Sequence, residues 1–395
     1  MALDIPEIQR ALRAGGLDGW LLYDFHGSNP IAARLAGLTG GGVMTTRRWY
    51  YLIPAEGPPR GIVHAIERHN LDALPGLRIV YASHDQLDAA LTTVLGGCAR
   101  IAMEYSPGCA IPYLSRVDAG TAEAVRQRGV DIVSSGDLVQ QFEASWNSAQ
   151  LASHVAASDA LYRIKDRAFA AVRIALQDRV PQTEYDLQQQ MVGWFGEEGL
   201  VSDSPPVVAI GANAGNPHYL PTAERCSALI PEQVLLLDLW GKRAETGAVF
   251  ADITWVGFTG ERVPEEPARA FQAIAAARDA AVALVEEAAR AGRDLRGWEV
   301  DRTARTVLEE AGFANHILHR TGHSLGEQVH GNGVHLDDYE THDDRRLLPG
   351  AGFTIEPGLY FESFGVRTEI NMFLGDREAL VTGPRQAAIM TLGNS

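Results

Sequence analysis

The sequence predicts an α+β protein of two domains, an α/β layer domain over residues 1–146 and a larger α+β domain over 147–395. Three observations carry that expectation. Short apolar runs alternate with helical patterns up to about residue 146, as in layered strands and helices. Beyond that point the helical patterns lengthen and separate from runs of antiparallel strands. Two of the later strand pairs each carry one carboxylate on either arm. A chain of 395 residues is long enough to bury two cores of ordinary size.

In the first domain, strands are expected at 20–23, 49–53, 61–64, 77–81 and 100–103, each an apolar run such as Trp20-Leu21-Leu22-Tyr23. Helical periodicity marks 5–14, 87–95 and 115–128. Gly40-Gly41-Gly42 reads as a turn, because the lysine or helix start of a phosphate cradle is missing. In the second domain, Leu151, Val155, Leu161, Ala168 and Ile174 outline one long amphipathic helix over 148–176. Further helices are expected at 183–199, 264–291 and 298–311. Strands are expected at 206–210, 234–240, 249–258, 351–361, 366–374 and 387–391.

Composition narrows the partners. The chain is 46% hydrophobic and 21% charged without low-complexity tracts, as in a globular protein. A net charge of −16 and a pI near 5.2 argue against nucleic acid or an anionic membrane surface. Cys98, Cys109 and Cys226 are odd in number and lack metal-ligand spacing, which fits a reducing cytoplasm. No apolar run approaches the roughly 18 residues of a membrane span, and the N-terminus lacks the pattern of a signal peptide. A cytoplasmic protein is expected.

The chemistry lies in the two hairpins. Asp238 sits in Val234-Leu235-Leu236-Leu237-Asp238-Leu239-Trp240 and Asp252 in Val249-Phe250-Ala251-Asp252-Ile253-Thr254-Trp255, with the polar stretch 241–247 between them. Folding about Glu245 sets the two aspartates directly opposite one another. Glu356 and Glu369 stand likewise on either side of a turn centred between Glu362 and Ser363. Facing residues of an antiparallel pair have Cβ atoms roughly 4.5–5.5 Å apart. Two carboxylates held that close among apolar residues are costly unless a cation neutralises them. The paired spacing also hints at an internal duplication.

Each residue alone has an ordinary explanation. The aspartates could be hairpin-end charges in solvent, and His323, bracketed by Gly322 and Gly326, a loop histidine. Glu356, before Pro357-Gly358, could end a strand at the surface, and Glu369 could pair weakly with Arg367 two residues earlier. Four carboxylates and an imidazole together form a hard, mostly oxygen donor set suited to a pair of divalent ions. Such a pair activates water and polarises a carbonyl. His218 and His330 are nearby candidates for moving protons or stabilising charge. The residues alone therefore point to metal-assisted hydrolysis.

The segments LLLDLWG, VFADITW, TGHSLG…VH, FTIEPGLYF and GVRTEI, spread over 147–395, resemble the M24 metallopeptidases. That family has the pita-bread fold and includes methionine aminopeptidases, Xaa-Pro aminopeptidases and Xaa-Pro dipeptidases. The region 1–146 resembles the creatinase-type N-terminal domain of the proline-specific members. The resemblance implies that Asp238 binds one metal, that Asp252 and Glu369 bridge two, and that His323 and Glu356 bind the other. It also implies that Glu356 is the general base for a metal-bridged water, that His218 and His330 contact the scissile carbonyl and leaving nitrogen, and that Arg367 steadies the ligands from behind.

The expected activity is a dinuclear metal-dependent exopeptidase hydrolysing the Xaa-Pro bond of dipeptides. Mn²⁺ is the expected ion, with Co²⁺, Zn²⁺ and Fe²⁺ also suited. A homodimer acting on small peptides, and not on nucleic acid or membrane, completes the picture. The alternatives are an Xaa-Pro aminopeptidase acting on longer peptides and a creatinase-like C–N hydrolase that works without metal. Trp255, Gly331 and Ile370 stand where relatives carry Arg, Glu and Asp, and are expected to alter the pocket wall.

Overall fold

The computed structural model describes residues 3–39 and 43–393, so the Gly40-Gly41-Gly42 turn lies outside the described residues. The chain forms two compact units, Met1–Glu143 and Ala144–Ser395.

The first unit contains α1 (Ile5–Ala14), β1 (Gly19–Asp24), α2 (Pro30–Leu35), β2 (Trp49–Pro54), β3 (Arg60–His64), β4 (Leu77–Tyr81), α3 (His84–Leu95), β5 (Arg100–Met103), α4 (Ala119–Arg126), β6 (Asp131–Ser134) and a single turn, α5 (Gly136–Val139). Its strands form one mixed sheet in the order β4-β3-β2-β1-β5-β6. Alternation sorts the apolar runs into two cores. Trp20, Leu22, Trp49, Tyr51 and Ile53 pack with Ile8 and Leu12 of α1 and Ile31 and Leu35 of α2. Leu21, Tyr23, Tyr50 and Leu52 pack with α3 and α4. That is why β1 and β2, buried on both faces, read as unbroken apolar runs. The helix expected over 115–128 is shorter, because Asp118 caps it by accepting from Thr121 N. The short elements α2 and β6 were not evident from periodicity. Six and four residues give too little pattern.

The second unit opens with α6 (Ser148–Asp178), started by a capping box between Asn147 and Gln150, and α7 (Glu184–Glu197), started by one between Thr183 and Asp186. It continues through β7 (Leu200–Val201), β8 (Val207–Ile210), β9 (Val234–Arg243), β10 (Ala251–Phe258), α8 (Glu265–Ala291), α9 (Gly297–Glu310), β11 (Ser324–Leu325), β12 (Gly352–Ile355), β13 (Gly358–Tyr360), β14 (Gly365–Arg367), β15 (Ile370–Leu374), β16 (Ala379–Val381) and β17 (Met390–Thr391). One sheet runs β17-β10-β9-β7, with β8 also paired to β9. A second runs β11-β12-β15-β16, and β13 pairs with β14. Each acidic hairpin has its own helix pair. Helices α6 and α7 share a core with β8, β9 and β10, and α8 and α9 share another with β12 to β15.

Candidate metal centre

Alternation along β9 and β10 creates the site's first wall. Leu235, Leu237, Leu239, Ile253 and Trp255 enter the core with α6 and α7. Asp238, Asp252 and Thr254 lie on the opposite face. The register differs from the expected one: Asp252 faces Trp240, and Asp238 faces Thr254. The aspartates are diagonal neighbours on one face. The hairpin turns at Thr246, because tertiary bonds hold both its ends. β7 extends β9 by pairing with Lys242 and Arg243, and Phe250 N donates to Gly326 O at 2.9 Å. Local turn chemistry does not contain those anchors.

The second pair keeps its expected register in an unexpected form. The ladders Ile355↔Ile370 and Gly358↔Arg367 follow one register, which sets Glu356 against Glu369. Neither glutamate is in a strand, since the ladder opens at 356–357 and 368–369. Neighbouring chain fills the opening: Glu356 N donates to Thr321 O at 2.7 Å and Glu369 N to Thr254 O at 3.2 Å. The gap thus lets β10 and the 321–325 segment close in on the two glutamates.

His323 arrives on that segment. His323 N donates to Thr354 Oγ1 at 2.9 Å, and Thr354 N donates to His323 O at 2.9 Å. A Cβ on Gly322 would lie 2.1 Å from Thr354 O, so only glycine permits this approach. His323 Nε2 stands 3.6 Å from Asp252 Oδ2 and 3.4 Å from Glu356 Oε1. Asp252, His323 and Glu369 each offer a ligand atom, all within 4.8 Å of one another.

The electrostatics fit a cation. Burial pushes Asp252 and Glu369 well above the ordinary carboxylate range, and the neighbouring carboxylates push further in the same direction. Asp238 is raised by burial against the opposing pull of Arg367. Burial holds the His323 ring down at about 4, with Glu356 opposing. A buried carboxylate does not by itself require a metal. Glu104 in the first unit is also fully buried, but its two oxygens accept from Trp20 Nε1 at 2.7 Å, Asn29 Nδ2 at 2.8 Å and Ser135 Oγ at 3.1 Å. In contrast, Asp252 Oδ1 and Glu369 Oε1 are buried without a hydrogen-bond partner among the described residues. Such orphaned oxygens cost free energy that a divalent ion offsets, and the donor set suits one.

Arg367, buried, links the two hairpins. It donates through Nη2 to Asp238 Oδ2, through Nε to Thr254 Oγ1 at 2.9 Å, and through Nη1 to Tyr360 OH at 3.1 Å. Thr254 Oγ1 in turn donates to Glu369 Oε2 at 2.7 Å. Tyr360 OH lies 2.7 Å from His319 Nε2, and His319 Nδ1 lies 2.7 Å from Arg320 O. The carbonyl can only accept, so Nδ1 carries the proton and Tyr360 donates to Nε2. The side chain of Asn371 brackets the backbone of Asp252, accepting from its N at 3.0 Å and donating to its O at 2.5 Å. Thr254, Asn371, Tyr360 and His319 were not singled out from the sequence. Alternation alone puts Thr254 and Asn371 beside Asp252 and Glu369, a signal that could have found them.

The structure therefore brings Asp238, Asp252, His323, Glu356, Glu369 and Arg367 together. The His330 ring joins them edge-on to His323, with centroids 4.3 Å apart. His218 stands on an exposed turn where its backbone N donates to Asn216 Oδ1 at 3.1 Å; its ring makes no hydrogen bond among the described residues. Two sequence departures expected to alter the pocket wall lie elsewhere. Trp255 packs in the α6 core with Lys165 Nζ 3.8 Å from its ring centroid, and Ile370 pairs with Ile355 in the α8 core. Gly331 packs closely, since a Cβ there would lie 2.9 Å from Ser324 Oγ and 3.2 Å from the Leu325 carbonyl carbon.

The chain is 32% identical over 206 residues to an Xaa-Pro dipeptidase of Lactobacillus delbrueckii subsp. lactis, a match covering 51% of this chain and 49% of that protein. It is 27% identical over 325 residues to a probable dipeptidase PepE of Mycobacterium tuberculosis, covering 80% of this chain and 78% of that protein. The chain spans about half the length of the first of these relatives. In structure it resembles the dipeptidase PepE of Mycobacterium ulcerans over 100% of both chains, with a TM-score of 0.72 at 22% identity, which shows a shared fold. That fold is the pita-bread arrangement preceded by an N-terminal domain. Residues 157–376, holding all five candidate ligands, match the profile of metallopeptidase family M24, and the chain belongs to that family.

Proposed function

We propose that this protein is a divalent-metal-dependent exopeptidase that hydrolyses the Xaa-Pro bond of dipeptides. The observation that carries the reading is the buried cluster of Asp252, His323 and Glu369 with two orphaned carboxylate oxygens, and Glu356 Oε1 3.4 Å from His323 Nε2. Asp238, Asp252, His323, Glu356 and Glu369 would hold two ions, with Mn²⁺ as the working choice. When bound, such ions make water more acidic and polarise a substrate carbonyl.

The chain's own groups supply the rest. Glu356 and Asp238 are the more open carboxylates of the set, each at 13% for its side chain; Arg367 Nη2 holds Asp238, and Glu356 is the general base that takes the proton of the attacking water. His330 meets the substrate carbonyl beside His323, and His218 serves the leaving nitrogen from its exposed turn. Arg367 holds Asp238 and, through Thr254, Glu369 in fixed orientations. A creatinase-type role for the N-terminal unit, a homodimer and a cytoplasmic setting belong to the same reading. The three free cysteines and the absence, among described residues, of a helix able to cross a membrane are consistent with it.

The experiment is a side-by-side assay of Xaa-Pro dipeptides, Xaa-Pro-Yaa tripeptides and Met-Ala peptides with Mn²⁺. Dipeptide cleavage is expected. Cleavage of tripeptides alone would reassign the protein as an aminopeptidase, and preference for Met-Ala would remove proline specificity.

A further inference from the structure

Behind the ligand strand lies a charged group that the reading above does not use. The buried stripe of α8 is built from residues such as Phe271, Ile274, Ala281 and Val285, and Arg278 stands on it at 2% exposure. Burying a guanidinium among apolar side chains is unfavourable unless its donors are satisfied by specific partners. Arg278 Nη1 donates to Thr368 Oγ1 at 2.9 Å and to Gln386 O at 2.8 Å, and Nε donates to Asp279 Oδ1 at 3.0 Å. The Gln386 side chain accepts from Val256 N at 2.9 Å and donates to Val256 O at 2.6 Å, two residues beyond Thr254 on β10.

Thr368 is a telling partner. It sits in the two-residue gap between β14 and β15, flanked by Arg367 and Glu369, where the ladder between the arms is open. Among the described residues, the backbone there makes the long Thr368 N to Pro357 O bond of 3.3 Å and the Glu369 N to Thr254 O bond of 3.2 Å. The Arg278 bond to Thr368 Oγ1 therefore bears on how the flanking side chains of Arg367 and Glu369 are placed.

We propose that Arg278 is a positioning residue for the metal centre. It clamps Thr368 from the α8 side so that Arg367 and Glu369 project together toward Asp238 and Asp252. Through Gln386 the same guanidinium ties this segment to β10, so one buried side chain holds both acidic hairpins in mutual register. The inference rests on the reading of Glu369 as a metal ligand.

The test is Mn²⁺ binding by calorimetry to the metal-stripped full-length chain, alongside thermal unfolding in chelator. Thr368→Val removes the acceptor with little change of shape, and Arg278→Met removes the donors. Each is expected to weaken Mn²⁺ binding roughly 10- to 100-fold, the usual effect of losing support behind a ligand. The double variant should bind no more weakly than the worse single, because both break one link. Asp279→Ala removes the guanidinium's exposed partner, which also pairs with Arg385 Nη1 at 3.4 Å, and should leave Mn²⁺ affinity at the wild-type value. Wild-type affinity in both Thr368→Val and Arg278→Met, with only a lowered unfolding temperature, would show a purely structural role and overturn the proposal. Should Arg278→Met fail to fold, Thr368→Val decides alone. If wild-type protein itself binds no Mn²⁺, the metal-site reading falls first and this inference with it.

Discussion

Glu356 and Asp238 are the two carboxylates of the cluster with an open edge, each at 13% for its side chain, and Arg367 Nη2 occupies Asp238. Asp252 and Glu369 are almost wholly enclosed at 5% and 2% exposure, whereas Glu356 keeps an open edge while Thr354 Oγ1 donates to it at 3.2 Å and Arg367 Nε lies 3.9 Å away. A carboxylate that must exchange a proton with a water needs that opening. Glu356→Gln preserves shape and removes the base, so turnover should fall by about 10²- to 10⁴-fold while the unfolding temperature changes little. Steady-state kinetics on an Xaa-Pro dipeptide checks this, and near wild-type turnover would refute the assignment. At this scale the sequence showed its charges clearly, because an aspartate inside Leu-Leu-Leu-Asp-Leu-Trp is conspicuous. It did not show the neutral groups that orient them. Tyr360 and His319 matter through one hydrogen bond of 2.7 Å, which depends on a fold that composition cannot reveal.

Register is where the elements and the residue pattern part company. Symmetry about Glu245 is a reasonable guess for an isolated hairpin, yet β9 is held out to Arg243 by β7, and the turn moves by one residue. One residue at the turn shifts every pair by two, which keeps the aspartates on the same face and makes them diagonal. The glutamate pair kept the register that the sequence suggests. The approach of the His323 segment is equally tertiary, and it is enforced at Gly322. A methyl group there would strike a backbone carbonyl at 2.1 Å, which a side-chain rotation cannot relieve. Gly322→Ala should therefore destabilise the protein by about 2 kcal/mol or more and weaken metal binding as well. Denaturant titration measures the first effect. A loss below about 0.5 kcal/mol would mean that the segment moves freely and that its packing does not fix His323.

At the scale of the molecule, most long elements were legible because their patterns were long. The 31 residues of α6 and the 27 of α8 each present a repeated apolar stripe, and the doubly buried strands of the first unit are near-continuous apolar runs. Two- to six-residue elements such as α2, β7, β11 and β16 carry no period and exist only through their neighbours. The same architecture explains why the centre can be both buried and highly charged. Two helix-backed hairpins supply a rigid frame, and the frame's packing outweighs the cost of enclosing carboxylates that repel one another without a cation. Metal binding should consequently relieve that repulsion and stabilise the whole fold. The most direct measurement is a calorimetric titration of the metal-stripped protein with Mn²⁺, with dipeptide hydrolysis followed at each step. Two ions should bind per chain, and activity should rise with occupancy and vanish in chelator. Undiminished hydrolysis in excess chelator, or no saturable Mn²⁺ binding, would contradict the metal-site reading.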